Sequence, residues 1–172
     1  TNYSSPKQVG ALTTWSNIAC GFYQTLALKT DGTLWSWGNK EAYLGLNINN
    51  ADRSSPAQVG ALSWTAVSIS SSGNFMLAIR SDNTLWGWGD NSYGQLGLDS
   101  TTIYFSPKQV GALTTWASCS NGFYLSVAVK TDGTLWAWGQ NAYGRLGLND
   151  TVHRSSPVQV GTLTNWADVD GY

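Results

Sequence analysis

Apolar positions along this chain come in short runs bounded by turn residues, and nowhere do they recur at helical spacing. The runs Trp15 to Cys20, Thr25 to Lys29 and Leu34 to Trp37 are four to six residues long, and Gly, Asn and Asp lie between them. Segments of this length and punctuation predict β-strands. A fourth candidate lies around Gln8 and Val9. Thr30-Asp31-Gly32-Thr33 joins the last two runs, and Asp-Gly supplies the positive φ values that a tight hairpin turn demands. Asp82-Asn83 and Asp132-Gly133 occupy the same place later. Thr25 to Leu28 and Ser126 to Val129 do not alternate strictly between apolar and polar, as expected of a sheet covered on both faces.

The pattern repeats. SSPKQVGAL from Ser4 returns as SSPAQVGAL from Ser54, FSPKQVGAL from Phe105 and SSPVQVGTL from Ser155, so the prolines Pro6, Pro56, Pro107 and Pro157 stand 50, 51 and 50 residues apart. TLWSWG from Thr33 returns as TLWGWG from Thr84 and TLWAWG from Thr134, with the same period. A fixed period in this range marks a solenoid, a propeller or an array. Four strands in about 51 residues describe one propeller blade. The chain then reads as a single segment, 1–172, with units at approximately 4–53, 54–104 and 105–154 and a partial unit at 155–172. The ten tryptophans all fall in repeat register, which predicts packing within and between blades.

A third landmark is Asn91-Ser92-Tyr93-Gly94-Gln95-Leu96-Gly97-Leu98, matched by Asn141-Ala142-Tyr143-Gly144-Arg145-Leu146-Gly147-Leu148. Together with the preceding Asp-x-Thr-Leu-Trp-x-Trp-Gly it resembles the repeat of the regulator of chromosome condensation (RCC1) family, whose members are usually seven-bladed β-propellers. The resemblance implies an all-β fold of four-stranded antiparallel sheets, forming an incomplete ring in this chain. About three and a half units leave blade faces open, so the expectation is either part of a longer chain or copies that associate to complete a ring. The first unit reads Asn39-Lys40-Glu41-Ala42-Tyr43-Leu44-Gly45-Leu46, one residue short between its glycine landmarks, and its loop should differ in shape. The family often carries a His before one strand; Gln24, Phe75 and Leu125 stand there.

Composition narrows the function. Charged residues are 11% of the chain, against about 25% in an average soluble domain, and the net charge is -1. No basic run offers a footprint for nucleic acid, and no apolar stretch approaches a bilayer span, so neither nucleic-acid binding nor membrane insertion is expected. Cys20 and Cys119 both follow a repeated Trp and are expected to be small buried hydrophobes. His153 is the single histidine, and Asp168 and Asp170, flanking Val169, lack the oxygen-rich spacing of a calcium loop. Asp31, Asp82 and Asp132 belong to hairpin turns. The expectation is therefore a protein that is not an enzyme, with no catalytic residue, no metal and no cofactor.

Register residues build a scaffold, whereas loops are free to vary and to bind. The stretches after each Leu-Gly-Leu differ most, and exposed aromatics and arginines are the usual anchors of interfaces. Lys40, Arg53, Tyr104, Phe105, Arg145, His153 and Arg154 are the candidate partner-binding residues. The leading expectation is a non-catalytic propeller that recognises a protein or a surface glycan, on a virion, a cell surface or a secreted assembly. The alternatives are a guanine-nucleotide exchange and chromatin-associated regulator, which the resemblance to RCC1 implies, and a propeller that acts as a protein inhibitor.

Overall fold

Each strand stops where the sequence supplies a turn. The computed structural model describes residues 5–11, 13–39, 43–47, 52–72 and 74–170. The first blade comprises β1 (Trp15–Cys20), β2 (Gln24–Lys29), β3 (Leu34–Gly38) and β4 (Arg53–Gln58). The second comprises β5 (Trp64–Ile69), β6 (Phe75–Arg80), β7 (Leu85–Gly89) and β8 (Tyr104–Gln109). The third comprises β9 (Trp116–Asn121), β10 (Leu125–Lys130), β11 (Leu135–Gly139) and β12 (Arg154–Gln159). Each set is an antiparallel sheet whose strands lie in chain order. The all-β propeller architecture expected from the repeats is what forms, and the three blades do not close into a ring.

The phase of the blade differs from the sequence unit. The Ser-Pro phrase supplies the outer strand of the blade before it, with Trp35 opposite Gln58, Trp86 opposite Gln109 and Trp136 opposite Gln159. The expectation that Gln8 and Val9 open the first sheet is therefore corrected. An outer strand needs the edge of a preceding third strand, and none precedes residues 6–9 among the described residues.

The core lies between blades. Leu26, Leu28, Leu34 and Val59 of the first blade join Trp64, Met76, Ala78 and Trp88 of the second. Leu77, Ile79, Leu85 and Val110 of the second join Trp116, Ala128 and Trp138 of the third. Strand β5 packs on β1 and β2, and β9 on β5 and β6, so the first strand of each blade lies nearest the axis.

The first two Leu-Gly-Leu segments each wedge under the inner tryptophan of the following blade. Gly45 and Gly97 adopt φ +77 and +73, and a Cβ there would sit 2.9 Å from Trp88 Nε1 and 2.8 Å from Trp138 Nε1. Both positions require glycine for conformation and for closeness. Trp64, Trp88, Trp116 and Trp138 are at most 2% exposed, whereas Trp15 and Trp37, with no described blade before them, are half-buried. The wedges are not identical. Trp138 Nε1 donates to the Gln95 carbonyl at 2.9 Å, and Ser126 Oγ donates to the same oxygen at 2.7 Å. Trp88 Nε1 is buried with no partner, beside the one-residue-shorter first loop.

At the other end of each blade, a staple recurs. Asp31 Oδ1 accepts the Thr33 N–H (2.9 Å) and hydroxyl (2.7 Å), and Thr33 Oγ1 accepts from Trp35 Nε1 at 2.9 Å. Asp82, Thr84 and Trp86 repeat it, as do Asp132, Thr134 and Trp136. The threonine hydrogen bonds hold Asp31, Asp82 and Asp132 below the usual carboxylate range. Lys29 Nζ lies 3.9 Å from the Trp35 ring and Lys130 Nζ 3.4 Å from the Trp136 ring, a cation–π cover for each staple.

The cysteines diverge from one expectation. Cys20 is exposed: its equivalents in the later blades, Ile69 and Asn121, are buried with a blade before them, and among the described residues Cys20 has none. Cys119 is half-buried, and burial, with the charge of Asp168 behind it, pushes its thiol up to about 12.

Three outcomes are expected. Trp138→Phe should cost about 1 kcal/mol more stability than Trp88→Phe in urea denaturation, since only the former removes a hydrogen bond; equal costs would refute the difference between the wedges. Carboxylates with depressed folded-state pKa values stabilise the fold above the ordinary carboxylate range and lose that contribution as pH falls through the folded values. A D31N/D82N/D132N triple variant should therefore show a flatter fall in Tm between about pH 6 and about pH 2 than the parent. Ellman's reagent should titrate Cys20 in the native protein and spare Cys119; rapid release of thionitrobenzoate from Cys20→Ser would contradict this.

Candidate recognition face

The antiparallel order of the strands sends two connections from every blade to one end of the fold. These are the β1–β2 turn and the long β3–β4 loop with their later counterparts, while the staples and the links between blades lie at the opposite end. Among the described residues, the exposed Phe and Tyr side chains, Phe22, Tyr23, Phe105, Phe123 and Tyr143, all lie at the loop end.

Buried asparagines shape the long loops. Asn91 Oδ1 accepts the Leu96 N–H at 2.9 Å, and its Nδ2 donates to the carbonyls of Ser100 and Thr102 at 2.9 and 3.0 Å. Asn141 repeats the clamp with Leu146 and Asp150. A clamped loop holds its outward side chains at fixed positions without a hydrophobic core of its own.

The residues singled out from the sequence are distributed around this rim. Arg53, Tyr104 and Arg154 are structurally equivalent, each opposite the last glycine of its third strand, so each blade carries one of them. They are not brought together. Arg154 is committed to an ion pair with Asp150 and a 2.8 Å bond to the Val152 carbonyl. Phe105 stacks on Tyr43 of the first-blade loop at 5.4 Å between ring centroids, and its carbonyl accepts the Asn47 N–H at 3.4 Å. Burial and then the nearby Asp90 charge raise the Tyr43 phenol above its ordinary pKa. Arg145 lies 5.4 Å from the ring of Tyr143 at an exposed loop tip. Lys40 lies outside the described residues.

His153 is exposed, yet its Nδ1 accepts the Asn141 N–H at 3.0 Å and its ring meets Tyr93 edge-on at 5.5 Å. Tyr93 in turn lies 5.1 Å from Tyr124, and Tyr124 lies 4.5 Å from Phe123. An aromatic track thus runs from the axis to the rim over two blades. Phe123 and Tyr124 also border a cleft of about 380 Å³ at the axial end, completed by Phe22, Ser71, Ser72 and Asn74. The candidate residues chosen from the long loops miss this cleft. Its signal was the phrase Gly-Phe-Tyr at 21–23 and 122–124, two periods apart, in turns that look like mere strand connections. Among the described residues no group of three His, Cys, Asp or Glu side chains converges as a metal site, and no helix is long and apolar enough to cross a membrane.

Comparison with known proteins agrees with this architecture. Models of the regulator of chromosome condensation (RCC1) repeat match residues 15–41, 66–95 and 118–145, and also 82–129 and 132–171. The chain is 36% identical over 101 residues to the ultraviolet-B receptor UVR8 of Arabidopsis thaliana, a match over 58% of this chain and 23% of that protein. It is 35% identical over 101 residues to the probable E3 ubiquitin-protein ligase HERC6 of Homo sapiens, over 56% of this chain and 10% of that protein. The chain therefore spans less than a quarter of the length of these relatives. Among solved structures, Prp20p from Saccharomyces cerevisiae superposes with a TM-score of 0.75 at 20% identity, covering 88% of this chain and 39% of Prp20p. Human WBSCR16 superposes with a TM-score of 0.74 at 23% identity, covering 89% and 39% of the two chains. By fold, blade register and the matched repeats, the chain belongs to the RCC1 repeat family.

Proposed function

We propose that this chain is a non-catalytic recognition module that presents the loop end of its blades to a protein partner. The observation that carries the reading is the segregation of exposed Phe and Tyr side chains to that end among the described residues, above loops fixed by buried asparagines. Exposed Phe and Tyr on a rigid support are the side chains that supply most interface energy at low entropic cost. Prp20p, similar in fold, is a protein with binding properties toward Gsp1p and histones and has been solved bound to Kap60. A partner on the rim would meet Tyr104, Phe105, Arg145, His153 and Arg154, with Arg53 in the equivalent place on the first blade. A setting on a surface or in a secreted assembly rests on composition, with few charges and many Ser, Thr and Asn. The alternative reading, exchange on a small GTPase, would engage a defined partner, so the same experiment separates the two.

A photo-crosslinking amino acid at Tyr143 or Phe105 should trap a discrete protein partner in extracts of the source cells, competed by excess unlabelled protein. The same group at Thr131, at the opposite end, should not. Tyr104→Ser should lower the yield from the Tyr143 position by about tenfold without changing the unfolding midpoint. Trapping only from Thr131 would overturn the reading, and trapping of a GTPase would favour the alternative.

A further inference from the structure

We propose that His153 is an acid-sensitive latch: neutral, it ties the end of the third-blade loop to the buried Asn141; protonated, it releases that end. The latch belongs to the loop itself and holds whether or not the loop end meets a partner.

The long loops of the second and third blades are built alike and closed differently. Asn91 and Asn141 are both fully buried, and each accepts a leucine amide, that of Leu96 or Leu146, through Oδ1 at 2.9 Å. Asn91 Nδ2 then reaches two carbonyls, those of Ser100 and Thr102, and so holds the start and the end of the closing stretch. Asn141 Nδ2 places both its bonds on Asp150, the counterpart of Ser100, at the carbonyl (2.9 Å) and at Oδ1 (3.1 Å). The carbonyl of Val152, the counterpart of Thr102, is taken by Arg154 Nη1 at 2.8 Å. The end of the third loop is tied instead by His153, whose Nδ1 accepts the backbone N–H of Asn141 at 3.0 Å. Ile103 stands at this place in the second blade and has no side-chain acceptor.

The exchange of a carbonyl for an imidazole makes the tie ionisable. A carbonyl accepts at any ordinary pH, whereas an imidazole nitrogen accepts only while it carries no proton. A proton on Nδ1 sets one N–H against another, and the bond to Asn141 is lost. His153 is exposed, so solvent protons reach it. The charged groups around it are already engaged. On its own loop, Asp150 accepts from Val152 N, from Arg154 and from Asn141 Nδ2, and these bonds hold its carboxyl below the usual carboxylate range. Arg154, next in the chain, is a cation paired with that carboxylate. From the second-blade loop, Tyr93 meets the imidazole edge-on at 5.5 Å, and Asp99 is bonded to Ser155 through its N–H at 2.8 Å and its Oδ1 at 3.4 Å. Tyr124, from the β9–β10 turn, lies behind Tyr93 at 5.1 Å between centroids. Protonation therefore loosens the end of the third loop and its contact with the second blade together, while the clamp of Asn141 on Leu146 and Asp150 stays.

The test is amide hydrogen exchange of the whole chain, followed by NMR at about pH 8 and about pH 5, either side of the ordinary imidazole range, with rates corrected for their intrinsic pH dependence. The Asn141 amide should lose about tenfold or more of its protection at the lower pH. The Leu96 amide, bonded to Asn91 in the second blade, should keep its own. His153→Asn, which offers a non-titrating oxygen near the place of Nδ1, and His153→Ala, which offers none, should each show Asn141 protection independent of pH, low throughout in the alanine variant. Intrinsic tryptophan fluorescence should report both variants as folded. Asn141 protection that does not change with pH in the parent chain, an equal loss at Leu96, or a pH-dependent loss that persists in either variant would overturn the assignment.

Discussion

The structure depends on one contact made twice: a Leu-Gly-Leu segment pressed against the inner tryptophan of the next blade. A four-stranded sheet of this kind has apolar side chains on both faces and cannot bury them alone. The wedge solves this because glycine at position 45 or 97 brings backbone within van der Waals reach of an indole, where any side chain would collide. Tryptophan brings the largest apolar surface and a donor that can be satisfied from the same segment, as Trp138 is by Gln95. The two clusters of buried side chains both straddle a blade boundary, so the hydrophobic core is a property of pairs of blades.

The two ends of the blades divide the work. At one end, Asp, Thr and Trp close the hairpins with a repeated hydrogen-bonded staple and a cation over the ring, leaving little variation from blade to blade. At the other end, the loops vary while the buried Asn91 and Asn141 hold their shape. Rigid supports under variable side chains are what a binding face requires, since little entropy is then lost when a partner arrives. The aromatic track and the axial cleft occupy the end where variation is tolerated.

Much of the fold was legible because its determinants are local and repeated. Asp-Gly hairpins, the Trp-x-Trp strands and the fifty-odd-residue period lead directly to four strands per blade. The phase was not legible: which sheet receives the Ser-Pro phrase depends on a free strand edge elsewhere, and the phrase itself carries no mark of it. The site was legible only at its rim. Tyr104, Phe105 and His153 attract notice because they break the repeat, whereas Phe22 and Phe123 conform to it and acquire meaning only when three turns meet at the axis. The bond of His153 to Asn141 and its contact with Tyr93 join residues from separate loops and blades and carry no mark in the sequence. The exposure of Cys20 likewise follows from its place on the innermost strand of a blade with no described neighbour on one side.

Because the wedge spans the boundary between blades, a fault in one loop is felt on both sides of it. A side chain at position 45 would press on Val59 of its own blade as well as on Trp88 of the next, and one at position 97 on Val110 as well as on Trp138. The boundary is a shared joint: whatever loosens it loosens both blades, and a row of such joints passes order in either direction, from neighbour to neighbour.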